Sequence, residues 1–372
     1  MTQSIKKITL IVIGIMAFVS LSIQAQGTVS ISRTGYYIAP DTDGIQQVFQ
    51  LVLGEEQNTR QITYSATDVL NYGIAYDALS IAYISDGQLW LQPIHTDEPE
   101  SLTAVSASEY LHNPVFSPDS QYIAYTDNGV WLLELSTRET RQLLENIPFT
   151  TESESVGELR IYSPKQFIWS ANGSVAQLVV EIGMWEWATA GIVDLTSGEL
   201  QIIEEVTYTD ILPLYGNRVL IYGNNAMNGN PVLRVAVDDN DINTYDEVLD
   251  FTGLLDNVIT LFADQAIEIA PGTVRVLGTV MSNEPDSGAF YFDYNLMSNE
   301  VLGVSTFTLP TSESSPVNYG TLSSDGALLS MYVEFAWTET GHTFGNLRIA
   351  DVVTGEEVFA LDGHISDFQW QP

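Results

Sequence analysis

The feature of this chain that most narrows its possible folds is a long-period repeat. One unit recurs: a short strand, a turn carrying Asp, Asn or Gly, an apolar strand, a hairpin, a third strand and a polar fourth strand. The second strands of successive copies begin at Ser80, Tyr122, Val175, Arg218, Val274 and Ala327, 42 to 56 residues apart. Apolar residues alternate with period two, Tyr, Val, Ile, Thr and Trp crowd the runs, and no segment holds a helical period over three turns. A sandwich has no such period, whereas a propeller blade is a four-stranded unit repeated around an axis.

The clearest copy spans residues 112–146. Its strands are predicted at 113–117, 122–126, 130–135 and 141–145. In the turn Pro118-Asp119-Ser120, proline sets φ and aspartate bonds back to the backbone. Asp127-Asn128-Gly129 is a tight hairpin that requires positive φ. The preceding copy, 70–105, matches it element for element, and third strands of later copies end in an apolar-acid pattern, as in Ile192-Val193-Asp194 and Ile349-Ala350-Asp351. The first unit, 35–63, has three strands but no inner one, while residues 367–372 read as a solitary inner strand. The expected fold is therefore all-β: a seven-bladed β-propeller of four-stranded antiparallel blades, its first blade closed by the C-terminal strand. Such closure hides two sheet edges.

Two lysines, Lys6 and Lys7, precede a charge-free and mostly apolar stretch over 8–23, with Ala25 as a small residue before a cut. Residues 1–25 thus read as a secretory signal peptide, or as an uncleaved N-terminal anchor, since about 20 residues span a bilayer. Residues 26–372 form the propeller domain, exported to the periplasm, the cell surface or the medium. No membrane insertion is expected once the signal is removed. The absence of cysteine excludes disulfides, thiolate metal sites and a lipid-modified N-terminal Cys. Forty-eight acids against twelve Lys and Arg give a net charge of −36, or about −38 without the two signal lysines. That surface repels nucleic acid and anionic headgroups and favours cationic ligands, divalent ions or basic partners. A general acidic bias for solubility accounts for the same charge.

Phe116-Ser117-Pro118-Asp119-Ser120 with Tyr122-Ile123-Ala124-Tyr125 resembles the repeat of TolB-type propellers, roughly F-S-P-D-G-x-x-I-A-F. Leu361-Asp362-Gly363-His364 before Phe368-Gln369-Trp370 resembles the glycine-histidine opening of WD repeats. The resemblance runs through the repeat over nearly all of 26–372, with one blade close to consensus. It implies a periplasmic or extracellular propeller used mainly for protein contacts. Propellers of this type also occur fused to serine peptidase domains, but the sequence carries no G-x-S-x-G nucleophile elbow.

No catalytic or metal-ligating constellation stands out. His95, His112, His342 and His364 are each alone in their segments. Asp41-Thr42-Asp43-Gly44 and Asp238-Asp239-Asn240-Asp241 offer oxygen ligands, which makes calcium a possible cofactor, yet hairpin turns explain both and no obligatory cofactor is expected. Glu181 with Glu186, and Glu334 with Glu339, are carboxylate pairs of a kind that forty-eight acids produce by chance. Core packing accounts for Trp90, Trp131, Trp169 and Trp370. Trp185, Trp187 and Trp337 instead fall in or beside long connections between second and third strands, and with His342 they form the expected ligand-binding set. In antiparallel blades those connections share one face with the blade-to-blade connections. The expected function is recognition of a protein, peptide or glycan by that face. The alternatives are a propeller hydrolase or lyase using channel-mouth carboxylates, and a structural envelope protein.

Overall fold

A computed structural model describes residues 33–54, 57–106, 112–147, 159–169, 175–184, 188–203, 206–214, 218–225, 231–238, 241–250, 260–281, 289–307, 317–337 and 343–372. All the regular structure among them is β-strand. In chain order, β1 (Arg33–Pro40), β2 (Gln46–Leu53) and β3 (Asn58–Gln61) are followed by a sheet of β4 (Asn71–Ile74), β5 (Ser80–Ser85), β6 (Gln88–Pro93) and β7 (Glu100–Ala104). The next sheet holds β8 (Val115–Phe116), β9 (Tyr122–Thr126), β10 (Gly129–Glu134) and β11 (Thr140–Glu145). Then come β12 (Ile161–Trp169), β13 (Val175–Gly183), β14 (Ala188–Asp194) and β15 (Leu200–Ile202). The fifth set is β16 (Val206–Leu214), β17 (Arg218–Asn225), β18 (Pro231–Asp238) and β19 (Asp241–Asp250). The sixth is β20 (Thr260–Ala270), β21 (Thr273–Met281), β22 (Ala289–Asn295) and β23 (Glu300–Phe307). Finally, β24 (Val317–Leu322), β25 (Leu328–Trp337), β26 (Thr343–Asp351) and β27 (Glu357–Trp370) join β1 to β3 in one seven-stranded sheet. The other five sheets have four strands each, all antiparallel and paired in sequence order.

The period-two pattern explains how these sheets stack. Side chains of a strand point alternately to opposite faces. In β5, Ile81 and Tyr83 enter one core with Tyr36, Ile38 and Val48, whereas Ala82 and Ile84 enter another with Phe116, Ile123 and Tyr125. The same division recurs in β13, where Leu178, Val180 and Ile182 pack toward Ala124 and Leu132, and Val179 packs toward Ile211 and Ile221. A second strand apolar on both faces is thus one that is covered on both faces. Further cores join β16–β18 to β20–β22 and β21–β22 to β24–β26. The last core lies between the two halves of the seven-stranded sheet, with Tyr37 and Leu51 against Tyr332, Leu347 and Phe368. Fourth strands such as β7 and β11 are largely exposed, which is why they read as polar.

Local chemistry fixes the turns. Ser117 Oγ donates to Asp119 Oδ1 at 2.6 Å and accepts the Tyr122 N–H at 2.9 Å. Ser323 and Asp325 repeat that arrangement, with Ser323 Oγ to Asp325 Oδ1 at 2.7 Å and the Leu328 N–H to Ser323 Oγ at 2.9 Å. The apolar-acid pattern has a similar cause. Asp194 Oδ1 accepts the N–H groups of Thr196 and Ser197, and Asp351 Oδ1 those of Val353 and Thr354, so each carboxylate organises the hairpin after its strand. Asn128 and Gly129 both have positive φ, as the tight hairpin requires.

β27 differs from the expected short closing strand. It runs unbroken for 14 residues, pairing first with β26 and then, through Ser366, Gln369 and Trp370, with β1. Positive φ at Gly363 and Asp367 lets it leave one partner and join the other. His364 therefore lies within a strand, its ring 5.2 Å from that of Phe344. Three hydrogen bonds hold the second half: Tyr72 donates its hydroxyl to the Asp367 carbonyl at 2.6 Å, the Phe368 N–H donates to the Tyr332 hydroxyl at 2.7 Å, and Gln369 Nε2 donates to the Tyr72 carbonyl at 2.9 Å.

Candidate functional site

First strands of adjacent sheets approach one another, β4 with β8, β8 with β12, and β20 with β24. At Gly73 the approach is so close that a Cβ would stand 1.8 Å from the Pro114 carbonyl oxygen, so only glycine fits. Between β4, β8, β12 and the end of β27 lies a cavity of about 330 Å³. Its walls mix apolar groups such as Ile74, Pro114 and Val115 with polar ones: His112, Asn113, Lys165, Gln166 and Gln369. Tyr76, 40% exposed, stands among the lining residues just past β4.

The polar lining is anchored across sheet boundaries. Asn113 Oδ1 accepts the Tyr72 N–H at 3.2 Å and the Asn71 amide at 3.3 Å. Gln369 Nε2 is held by the Tyr72 carbonyl, and Gln166 Nε2 donates to the Ile211 carbonyl. Each carboxamide is thus fixed at one end by the neighbouring sheet while its other end keeps hydrogen-bonding capacity.

Lys165 Nζ lies 2.5 Å from Glu181 Oε2. It is the one lysine outside the N-terminal pair. Its side chain is 40% exposed and lines the cavity. Burial works against the ammonium, but the charges of Glu181 and Asp210 outweigh it and raise its pKa above the ordinary lysine value. Burial likewise pushes the Glu181 carboxyl up, and the charge and hydrogen bond of Lys165, with a smaller contribution from His112, reverse this and hold it low. Asp210 goes the other way. Burial raises its pKa despite Lys165, the Ile211 N–H at 2.8 Å and the Tyr222 hydroxyl at 3.2 Å. Burial and the Asp210 charge push the Tyr222 phenol well above its ordinary value.

Trp185, Trp187 and His342 lie outside the described residues, as does the side chain of Trp337, whose backbone ends β25 opposite Thr343. The stretch 1–32, which contains the signal or anchor, also lies outside them. Glu186 and Glu339 do so too, which leaves Glu181 paired with Lys165 and Glu334 accepting the Asn346 amide at 3.0 Å. Asp41 uses Oδ1 to accept the N–H groups of Asp43 and Ile45 in a hairpin turn. Among the described residues, no three His, Asp or Glu side chains group as metal ligands, and no helix is long and apolar enough to cross a membrane. Trp90 and Trp131 are half-buried, and each donates its indole N–H to its own hairpin, to the carbonyls of Ser85 and Asp127. Sequence reasoning missed the cavity cluster. The signal was available in Lys165, a lone lysine in an inner strand of a very acidic chain.

No protein-family profile matches the chain, and no curated protein sequence matches it. Among solved structures it is similar to TolB from Acinetobacter baumannii, at 13% identity and a TM-score of 0.41 over 72% of this chain. The match spans 62% of that protein's length.

Proposed function

We propose that the chain is an exported seven-bladed propeller, its first blade completed by the C-terminal strand, that serves as a recognition module for a protein, peptide or glycan. The observation that carries this reading is the cavity where the inner strands of neighbouring sheets meet, with polar groups anchored from one sheet to the next. The order of the cores supports closure, because each sheet packs on its successor and the last core unites the two ends of the chain. Anchored groups in a small concavity suit binding, since their geometry is set before a ligand arrives. Neither nucleic acid nor an anionic membrane surface suits a chain of this charge. Glycan and peptide arrays probed with the purified exported chain test the reading. Saturable binding to a defined set of probes is expected, and blank arrays would overturn it.

One observation favours a second reading, that of a hydrolase or lyase. Glu181 and Asp210 flank Lys165 with pKa values moved in opposite directions, the condition under which one carboxyl acts as base and the other as acid. Turnover of an array ligand that is lost in both Glu181→Gln and Asp210→Asn, with binding retained, would establish the enzyme instead.

A further inference from the structure

We infer that the cavity between β4, β8, β12 and the end of β27 is a subsite for one neutral, hydroxyl-rich ring: a free sugar or the terminal unit of a neutral glycan. The inference rests on the recognition reading and narrows it to a place and a ligand class. Size is the first argument. About 330 Å³ is at the small end of the roughly 300–1,000 Å³ typical of ligand pockets, enough for one ring and too little for a folded segment.

Charge is the second argument. The lining ammonium of Lys165 is matched by Glu181 at 2.5 Å, with Asp210 beyond it on β16. An anion entering here would meet a cation already balanced, inside a chain of net charge −36. A cation would meet a carboxylate already paired. The remaining capacity belongs to the Asn113 amide N–H donors, the Gln166 and Gln369 amide oxygens, and the N–H bonds that the charge-paired Lys165 does not spend on Glu181. Both donors and acceptors therefore line the cavity. A hydroxyl both donates and accepts, so vicinal hydroxyls satisfy such a set where a carboxylate or an ammonium satisfies only half of it. Ile74, Val115 and the Tyr76 ring supply apolar surface for the C–H face of a sugar. Because the three amides are held by the backbone of neighbouring sheets, little ordering accompanies binding.

The test is titration of the exported chain with glucose, galactose, mannose and N-acetylglucosamine, their methyl glycosides and short oligomers, and glucuronate as the anionic comparator, followed by saturation-transfer NMR. At least one neutral sugar should bind saturably, and glucuronate at least about ten-fold more weakly, roughly the effect of 1.4 kcal/mol. Tighter binding of the oligomer than of the methyl glycoside identifies a glycan end, and equal binding identifies a free sugar. Val115→Phe, which fills the cavity, should abolish binding without moving the melting temperature. If that variant fails to fold, Gln369→Leu and Lys165→Met decide, each expected to weaken binding at least ten-fold. The inference is overturned if no neutral sugar binds, if glucuronate binds equally well, or if the folded variants bind like wild type. Should the variants keep wild-type binding on arrays, only the cavity assignment fails; blank arrays for wild type would remove the recognition reading as well.

Discussion

Phe368 offers the sharpest test of how the two ends of the chain meet. Its ring is 4% exposed, sits edge-on to Trp370 at 4.9 Å, and covers Gly35 on β1 so closely that a Cβ there would be 2.3 Å from ring carbon Cζ. Phe368→Ala removes the ring and leaves a hole that Gly35, with no side chain, cannot fill. Large-to-small changes of this type cost about 3–5 kcal/mol, and the lost aromatic pair places this one at about 4 kcal/mol or above. For a chain of this size that corresponds to a fall in melting temperature of about 5 °C. Asp362→Ala is the control in the same strand. Its side chain is 78% exposed and paired with Arg348, so its loss should change stability by less than about 1 kcal/mol. A second measurement isolates the contact. Gly35→Ala alone should destabilise by collision, whereas in the Phe368→Ala background the added methyl occupies the vacated space. The double variant should therefore be more stable than additivity allows by about 1 kcal/mol or more. Thermal unfolding followed by circular dichroism reads all four variants against wild type. Equal melting of Phe368→Ala and Asp362→Ala, or strict additivity of the pair, would refute the placement of this strand against β1.

Four further outcomes are expected. Gly73→Val should prevent folding or lower the melting temperature more than any other cavity-lining variant, because the Pro114 carbonyl is backbone and cannot move aside; soluble yield and far-UV spectra report it. Glu181→Gln should be less stable than wild type at neutral pH, and the difference should shrink as pH falls below about 4, because a depressed carboxyl pKa contributes stability above its unfolded value that is lost through its folded one. Asp210→Asn should cost less at neutral pH than Glu181→Gln, since burial raises the Asp210 pKa and its ionised form is disfavoured in the fold; urea melts at pH 7 and pH 4 separate the two signs. Arg275→Met should destabilise by about 2 kcal/mol or more, because the half-buried guanidinium bonds Asp293 through both oxygens at 2.7 and 2.8 Å and donates to the Gly326 carbonyl at 2.7 Å, tying β21 to the turn before β25.

What could be read from the sequence was whatever is decided within one hairpin. Strand positions followed from period-two apolar residues, as in Ser80–Ser85, because alternation reports a pleated segment covered on both faces. Turns followed from Ser117 with Asp119 and from Asp351, whose side chains bond the backbone within five residues. The pairing of residues near 367–370 with the first sheet was legible too, since that sheet lacked an inner strand of its own. The continuity of β27 was not, because two positive-φ residues carry one strand between two partners and neither announces which strand it will meet. The cavity depended wholly on tertiary structure. Asn113, Lys165 and Gln369 line it from positions tens to hundreds of residues apart in the chain, and among acids so numerous the Lys165 neighbours Glu181 and Asp210 carry no signal singly. Pairing of β12 with β13 sets Lys165 beside Glu181, and only the stacking of one sheet on the next adds Asp210 of β16 and sets Gly73 under the Pro114 carbonyl. Local hydrogen bonds are written in adjacent residues, whereas contacts between sheets are chosen by the packing of whole faces, which no single segment encodes.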